Sequence, residues 1–460
     1  MEYRSTRGDA TTHGFASTLL AGLAPDGGLF VPERIEPLAE GTLSGFVGAD
    51  YATLARELIS LFAAPDIESA SVADSVERAL AAFSHPAIAP HRQLDQDRWL
   101  LELFHGPTLA FKDYALQFVG ELIEQQLKRE DRHATVICAT SGDTGAAAAA
   151  AFAGRENISV VVLHPAGRVS EVQRRQMTTL PHDNVANFAI DGDFDDCQAM
   201  VKALFVDPQA AALNLTAVNS INWARITCQV AYYAWSSARL SGRGPVNYVV
   251  PTGNFGNILA GDVARRLGFP VGRLVLTSND NDVLPRFFET GRMERRETCR
   301  TLSPSMDIQV SSNFERALWY AADGRGATVE RYQRALAEDG GYTLEPALLR
   351  HLRERFSAVR CTEAEALEEM RRARRESGEI LCPHTATAAH AARRLEADGP
   401  VVVTATAHPA KFPDAVREAI GETPPRPGLL DAVMEAEERF EHHPADAAAL
   451  RDRLLAEARQ

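Results

Sequence analysis

The chain has 460 residues, of which 45% are hydrophobic and 24% charged, and its net charge is −14. That length exceeds one hydrophobic core and predicts roughly two or three domains, and the balance of apolar and charged residues is that of a folded soluble protein. The acidic excess excludes non-specific binding to nucleic acid or to an anionic membrane, and leaves any anionic small substrate dependent on local basic groups and backbone amides.

The N-terminus, MEYRSTRGDATTHG, lacks the apolar stretch of a signal peptide. No run approaches the ~20 apolar residues of a membrane helix. Six cysteines, at 138, 197, 228, 299, 361 and 382, form no CxxC pair, as expected of reduced thiols in a cytoplasmic protein. No interface stripe stands out, so monomer and homodimer both stay open.

Residues 1–90 mix helical patterns with turn signals such as APDGG (24–28) and contain no long buried strand. They predict a mainly helical N-terminal domain. From residue 98 the texture changes to short β-branched runs: RWLLELF (98–104), ATVICAT (134–140), ISVVVLHP (158–165), VANFAI (185–190), VNYVVP (246–251), RLVLTS (273–278) and VVVTAT (401–406). Most lead into a polar or glycine-rich turn and then an amphipathic stretch, which predicts α/β architecture with open, mostly parallel sheets. The runs are continuously apolar, as strands covered on both faces should be. One lobe is expected over 91–240 and a second over 241–415. Within the latter, 285–375 is weaker in strand signal and reads as helical with surface insertions. Residues 416–460 read as a C-terminal helical tail.

Besides the segment that carries Lys112, four stretches fall where open sheets bind ligands, beyond the carboxyl ends of strands. In HGPTLAFKDYALQF (105–118), Lys112 sits between Phe111 and Asp113. It is either a lysine whose head reaches water or a functional amine, a phosphate clamp or a Schiff-base lysine. Ser141, Gly142, Asp143, Thr144 and Gly145 open an alanine-rich helix; they suit an anion site or ordinary capping equally. Gly253, Asn254, Phe255, Gly256 and Asn257 follow a clean strand and open another helix. This is neither a Walker loop nor G-x-G-x-x-G, so a phosphate-bearing cofactor without a nucleotide is the expected ligand. Thr404, Thr406 and His408 end the last apolar run, and VNSINWARIT offers Asn219, Ser220 and Arg225. A guanidinium there suits a phosphate or carboxylate, or a structural ion pair. Cys382, His384 and His390 match no zinc spacing, and no metal is expected.

Together these segments resemble the threonine synthases, fold-type-II enzymes that use pyridoxal 5′-phosphate (PLP). The resemblance runs nearly end to end, through YRSTRG, LAPDGGLFVPE, the Lys112 segment, SGDTG, VNSINWARI, GNFGN, CPHTATAAH and TATAHPAKFP. It implies two interleaved, mostly parallel sheet domains of the tryptophan synthase β type with an N-terminal helical domain. It further implies that Lys112 forms the Schiff base with PLP and later acts as base at Cα, its charged form disfavoured by apolar neighbours such as Phe111. Gly253, Asn254, Phe255, Gly256 and Asn257 then cradle the cofactor phosphate, Thr406 meets the ring nitrogen, and Asp143 lies near the 3′ oxygen. Ser141, Thr144, Asn219, Ser220 and Arg225 are implied to hold the substrate, O-phospho-L-homoserine, which is converted with water to L-threonine and phosphate. A related fold-type-II lyase, such as a phospholyase or a dehydratase, is the nearest alternative. Lys411, in HPAKF, reads as a surface lysine.

Overall fold

The computed structural model describes every residue except Ser141, Ala217 and 458–460. In chain order the strands are β1 (Tyr3–Ser5), β2 (Phe30–Pro32), β3 (His91–Gln93), β4 (Arg98–Glu102), β5 (Ala134–Ala139), β6 (Ile158–Pro165), β7 (Val185–Asp191) and β8 (Leu215–Thr216). They continue with β9 (Val246–Pro251), β10 (Val271–Ser278), β11 (Arg292–Glu294), β12 (Gly341–Thr343), β13 (Ser357–Arg360), β14 (Val401–Ala405) and β15 (Glu441–Pro444).

Two sheets carry the architecture. One has the order β15-β7-β6-β5-β8 and is parallel throughout; the other has the order β13-β10-β9-β14-β4-β3 and is parallel except for the β3–β4 pair. Their central strands are buried on both faces, which is why they read as unbroken apolar runs. Strands β3 and β4 lie in the sheet of residues 246–405, and β15 lies in the sheet of residues 134–216. The chain therefore passes between the sheets, and the segments 91–240, 241–415 and 416–460 do not correspond one-to-one with them.

The N-terminal region pairs β1 with β2 and adds helices Phe15–Ala21, Tyr51–Ala63 and Ser69–Leu80. Helix Trp223–Leu240 is buried along nearly its whole length and packs against helices Tyr51–Ala63, Asp113–Arg129 and Gly256–Arg266. One continuous apolar core thus joins the N-terminal helices to both sheets. Segment 285–375 is mostly helical, with the antiparallel pair β11–β12 and the edge strand β13 inserted. The tail is not wholly helical: β15 pairs in parallel with β7, and Leu450 and Leu454 of helix Ala447–Glu457 pack with Phe188, Ile190 and Leu204. The last helix docks through helix Phe194–Val206, whose Met200 and Leu204 share one apolar cluster with Leu450 and Leu454. No described helix is long and apolar enough to cross a membrane.

Candidate active site

The turns that leave β4, β5, β9 and β14 meet at their carboxyl ends, where open parallel sheets place ligands. Leu109, in the turn after β4, adopts a left-handed backbone with φ 59°. Phe111 N–H donates to the Thr406 carbonyl at 2.9 Å and His408 N–H to the Leu109 carbonyl at 3.0 Å, stitching the lysine turn to the turn after β14. Lys112 then precedes helix Asp113–Arg129 with its side chain buried, so its head does not reach bulk water. Its Nζ lies 3.4 Å from Asp143 Oδ2 and 5.0 Å from the centroid of the Phe111 ring. Burial draws the amine below its usual range, Asp143 opposes this, and Lys411 and Arg225 reinforce it. The Phe111 ring is not the cause expected from the sequence: an aromatic face toward an ammonium favours the charged form. Loss of hydration and two nearby cations do the displacing.

Asp143 begins helix Asp143–Phe152 directly after Gly142, whose φ of 145° and tight surroundings require glycine. A Cβ there would fall 2.5 Å from Gln173 Cδ. Thr140 Oγ1 accepts from the amides of Gly142 and Gly145, each at 2.9 Å, so the turn is capped from the strand side. Asp143 itself faces four donors: Lys411 Nζ at 2.8 Å, Gln173 Nε2 at 2.9 Å, Ser305 Oγ at 3.3 Å and Lys112 Nζ. Burial alone would raise this carboxyl, but the two ammonium groups hold it well below the usual carboxylate range. Thr144 follows, half-buried, and Ser141 lies outside the described residues.

After β9, Phe255 adopts a left-handed backbone with φ 62° and opens helix Gly256–Arg266. That conformation is strained for a bulky side chain. Edge contacts with Phe314 and Phe356, at 5.3 and 5.0 Å between centroids, hold the ring in the core. Phe255 therefore offers the turn its backbone rather than its ring. Ser311 Oγ donates to the Gly253 carbonyl at 2.6 Å, and Asn313 donates to the Asn254 carbonyl through its amide at 3.1 Å and Nδ2 at 2.9 Å. With the carbonyls pinned, the first-turn amides of the helix are the groups left to meet an anion. Asn254 is exposed, and its Oδ1 accepts from Ser312 Oγ at 3.2 Å. Asn257 is buried; its Oδ1 accepts from the hydroxyls of Tyr232 and Tyr233 at 2.8 Å each, leaving Nδ2 buried without a partner.

Arg225 is buried on helix Trp223–Leu240, with one long contact from Nη1 to the Val218 carbonyl at 3.4 Å and an unpartnered Nε. Among the described residues it has no carboxylate within ion-pair distance. Burial draws its guanidinium down to about 10. Ser220 Oγ lies 3.3 Å from Ser312 Oγ and so connects to Asn254. Asn219 is exposed, and its side chain accepts from Ile221 N–H at 3.1 Å. Thr406 is buried beside the Lys112 turn.

Lys411 is not a surface lysine. Its side chain is fully buried, held between Asp143 and the Thr108 carbonyl. His384 faces Asp143, Lys112 and Lys411 electrostatically. Burial pulls it down to about 4, its Nε2 accepts from Ser305 N–H at 3.2 Å, and its Nδ1 is buried without a partner. The CPHTATAAH and TAHPAKF motifs were the signal for both residues. His390 lies elsewhere, within 4.8 Å of Cys361 and Glu365. Glu365 is already engaged in capping its helix at Thr362 and lies 3.7 Å from Arg394, so the trio is charge-balanced without an ion.

These groups fit PLP. An amine drawn toward neutrality stands beside a glycine-rich helix start, with the unpartnered donors of Arg225 and His384 facing it, and the GNFGN helix start carries the unpartnered Asn257 Nδ2. Gly253 admits no side chain, since a Cβ would fall 2.7 Å from the Ser305 carbonyl.

Comparison with known proteins agrees. Residues 84–348 match the pyridoxal-phosphate dependent enzyme family, residues 2–80 the threonine synthase N terminus, and residues 385–453 the threonine synthase C-terminal region. The threonine synthase of Pseudomonas aeruginosa is 44% identical over 444 residues, covering 95% of each chain. The PLP-bound threonine synthase of Brucella melitensis superposes with a TM-score of 0.97 at 42% identity over 100% of both chains. The yeast threonine synthase does so with a TM-score of 0.95 at 36% identity, over 99% of this chain and 98% of that one. With its cofactor turns, its buried lysine and both terminal regions accounted for, the chain belongs to the PLP-dependent threonine synthase family.

Proposed function

We propose that the chain converts O-phospho-L-homoserine and water to L-threonine and inorganic phosphate at this cleft. The observation that carries the reading is the Lys112 amine, buried and drawn toward its neutral form beside an arginine that lacks a carboxylate. PLP, when bound, supplies an electron sink for negative charge developing on the substrate. Gly253, Asn254, Phe255, Gly256 and Asn257 are the residues assigned to its phosphate, through helix-start amides and the free Asn257 Nδ2. Thr406 is assigned to the ring nitrogen, where a neutral hydroxyl leaves that nitrogen without an acidic partner. Asp143 is assigned to the side of the 3′ oxygen.

Lys112 anchors the cofactor and, once free, acts as base. Its neutral amine takes the Cα proton, and burial favours that neutral form over the ammonium. Across the reaction the Cγ–O bond to phosphate and one Cβ–H bond break, a proton is delivered to Cγ, and the hydroxyl of water joins Cβ while its proton leaves with the phosphate. Arg225 is assigned to the substrate's phosphate or carboxylate, which its planar fork matches in pairs of hydrogen bonds. Thr144, Ser220, Asn219 and Ser141 complete the substrate set. A cytoplasmic setting fits six cysteines that are all free.

Borohydride reduction of the PLP-loaded protein, followed by digestion and mass spectrometry, tests the assignment of Lys112. The cofactor mass is expected on the peptide that carries Lys112, and Lys112→Ala is expected to abolish turnover. A label on any other lysine refutes the assignment.

A further inference from the structure

A lysine in a turn after a strand ordinarily buries its stem and keeps its head in water. Lys411 does the reverse. Its ammonium is fully enclosed and makes two contacts, 2.8 Å to Asp143 Oδ1 and 2.7 Å to the Thr108 carbonyl. The carboxylate it meets faces Lys112 with its other oxygen, at 3.4 Å. Two buried ammonium groups therefore share one buried carboxylate, and the one with no assigned chemistry holds it more closely.

Charge balance gives this arrangement a purpose. A buried carboxylate needs a counter-charge. Were Lys112 the only cation present, Asp143 would hold it as an ammonium, and an ammonium is neither nucleophile nor base. With Lys411 committed to Asp143, that pair is neutral by itself, and Lys112 can release its proton without stranding a charge. The other charged or titratable groups facing this cluster are Arg225, His384, Cys382, Asp113 and His408, the last drawn down to about 4 by burial and so neutral. Arg225 pushes Lys112 the same way as Lys411, and His384 is drawn down to about 4 by burial and stays neutral. Asp113 accepts from the Thr108 amide at 2.9 Å and the Thr108 hydroxyl at 2.7 Å.

We propose that Lys411 is a positioning residue for Lys112: it is the standing counter-ion of Asp143, so that the Lys112 nitrogen enters and leaves its chemistry without a proton. The inference rests on the role assigned to Lys112 above.

The test uses full-length, PLP-loaded protein and four variants: Lys411→Met, Lys411→Arg, Asp143→Asn, and Lys411→Met combined with Asp143→Asn. Two readouts are followed against pH, the visible band of the cofactor held by Lys112 and the acid limb of kcat/KM. Lys411→Met is expected to move both midpoints up by about one pH unit or more, which is about a tenfold loss of the neutral form at a fixed pH below the midpoint. Lys411→Arg keeps the charge and is expected to stay near the parent. The double variant, neutral at both positions, is expected to return toward the parent midpoint, a rescue that a purely structural lysine would not produce. Asp143→Asn alone leaves Lys411 unbalanced and is expected to move the midpoints down, which keeps the inference testable should Lys411→Met fail to fold. Midpoints that coincide in all five proteins, or a double variant that stays where Lys411→Met is, overturn the inference. A parent protein whose band does not depend on Lys112 removes the functional reading itself, and this inference with it.

Discussion

Replacing Arg225 by methionine should separate stability from function. The side chain is buried, has an unpartnered Nε, and faces no carboxylate among the described residues. Burial draws its guanidinium down to about 10, which corresponds to roughly 3 kcal/mol of electrostatic cost borne by the folded protein without substrate. Methionine keeps the apolar stem and removes the charge, so most of that cost should be recovered. At about 2.1 cal/mol/K per residue over 460 residues, a gain of about 1–3 kcal/mol raises Tm by roughly 1–3 °C. The same substitution removes a charged hydrogen bond to substrate, of the order of 1.5–3 kcal/mol, and should raise KM by roughly 10- to 150-fold. Scanning calorimetry without substrate and initial-rate kinetics with O-phospho-L-homoserine read the two effects. Inorganic phosphate should stabilise the parent protein and have little effect on the variant. A variant with lower Tm and unchanged KM would make Arg225 a structural residue and refute the reasoning.

Burial draws His91, His384 and His408 each down to about 4. All three lie below the ordinary imidazole value of about 6.5, so the unfolded chain binds more protons as pH falls and stability is lost from about pH 6.5 down toward 4. Asp113, raised to about 6 by burial, works in the opposite sense. Unfolding near pH 5 should therefore take up about two protons, measurable as the slope of unfolding free energy against pH; a flat profile between pH 7 and 5 contradicts it. Ending the chain at residue 440 removes β15 and the contacts of Leu450 and Leu454. Losing two buried leucines costs about 2–5 kcal/mol each and exposes β7 as an edge, so lower Tm and concentration-dependent aggregation are expected. An unchanged Tm would show that the tail only decorates the sheet.

The strands that the sequence revealed are those buried on both faces, such as VNYVVP and VVVTAT, whose apolar runs are the direct imprint of helices on either side. The strands it hid are short and at edges. LT, SAVR and EHHP carry no periodic signal, and their extended form is imposed by β5, β10 and β7. The site divides in the same way. Lys112 and GNFGN were legible because each brings its own context of strand, turn and helix start. Lys411 reads as a surface lysine although TAHPAKF marks its turn, because the carboxylate it pairs with comes from a distant helix. Asn219 matches the family motif, yet its side chain serves an exposed turn. The family resemblance sets Asp143 near the cofactor's 3′ oxygen, and its division between two ammonium groups could be read only from the fold.

The most direct test of the account is the product balance in one cuvette. PLP-loaded protein is mixed with O-phospho-L-homoserine while its visible spectrum, threonine and phosphate are followed together. The account predicts a yellow band that shifts on mixing, with threonine and phosphate released in equal amounts. Phosphate accompanied by an oxo acid instead of threonine would contradict it and make this cleft a lyase.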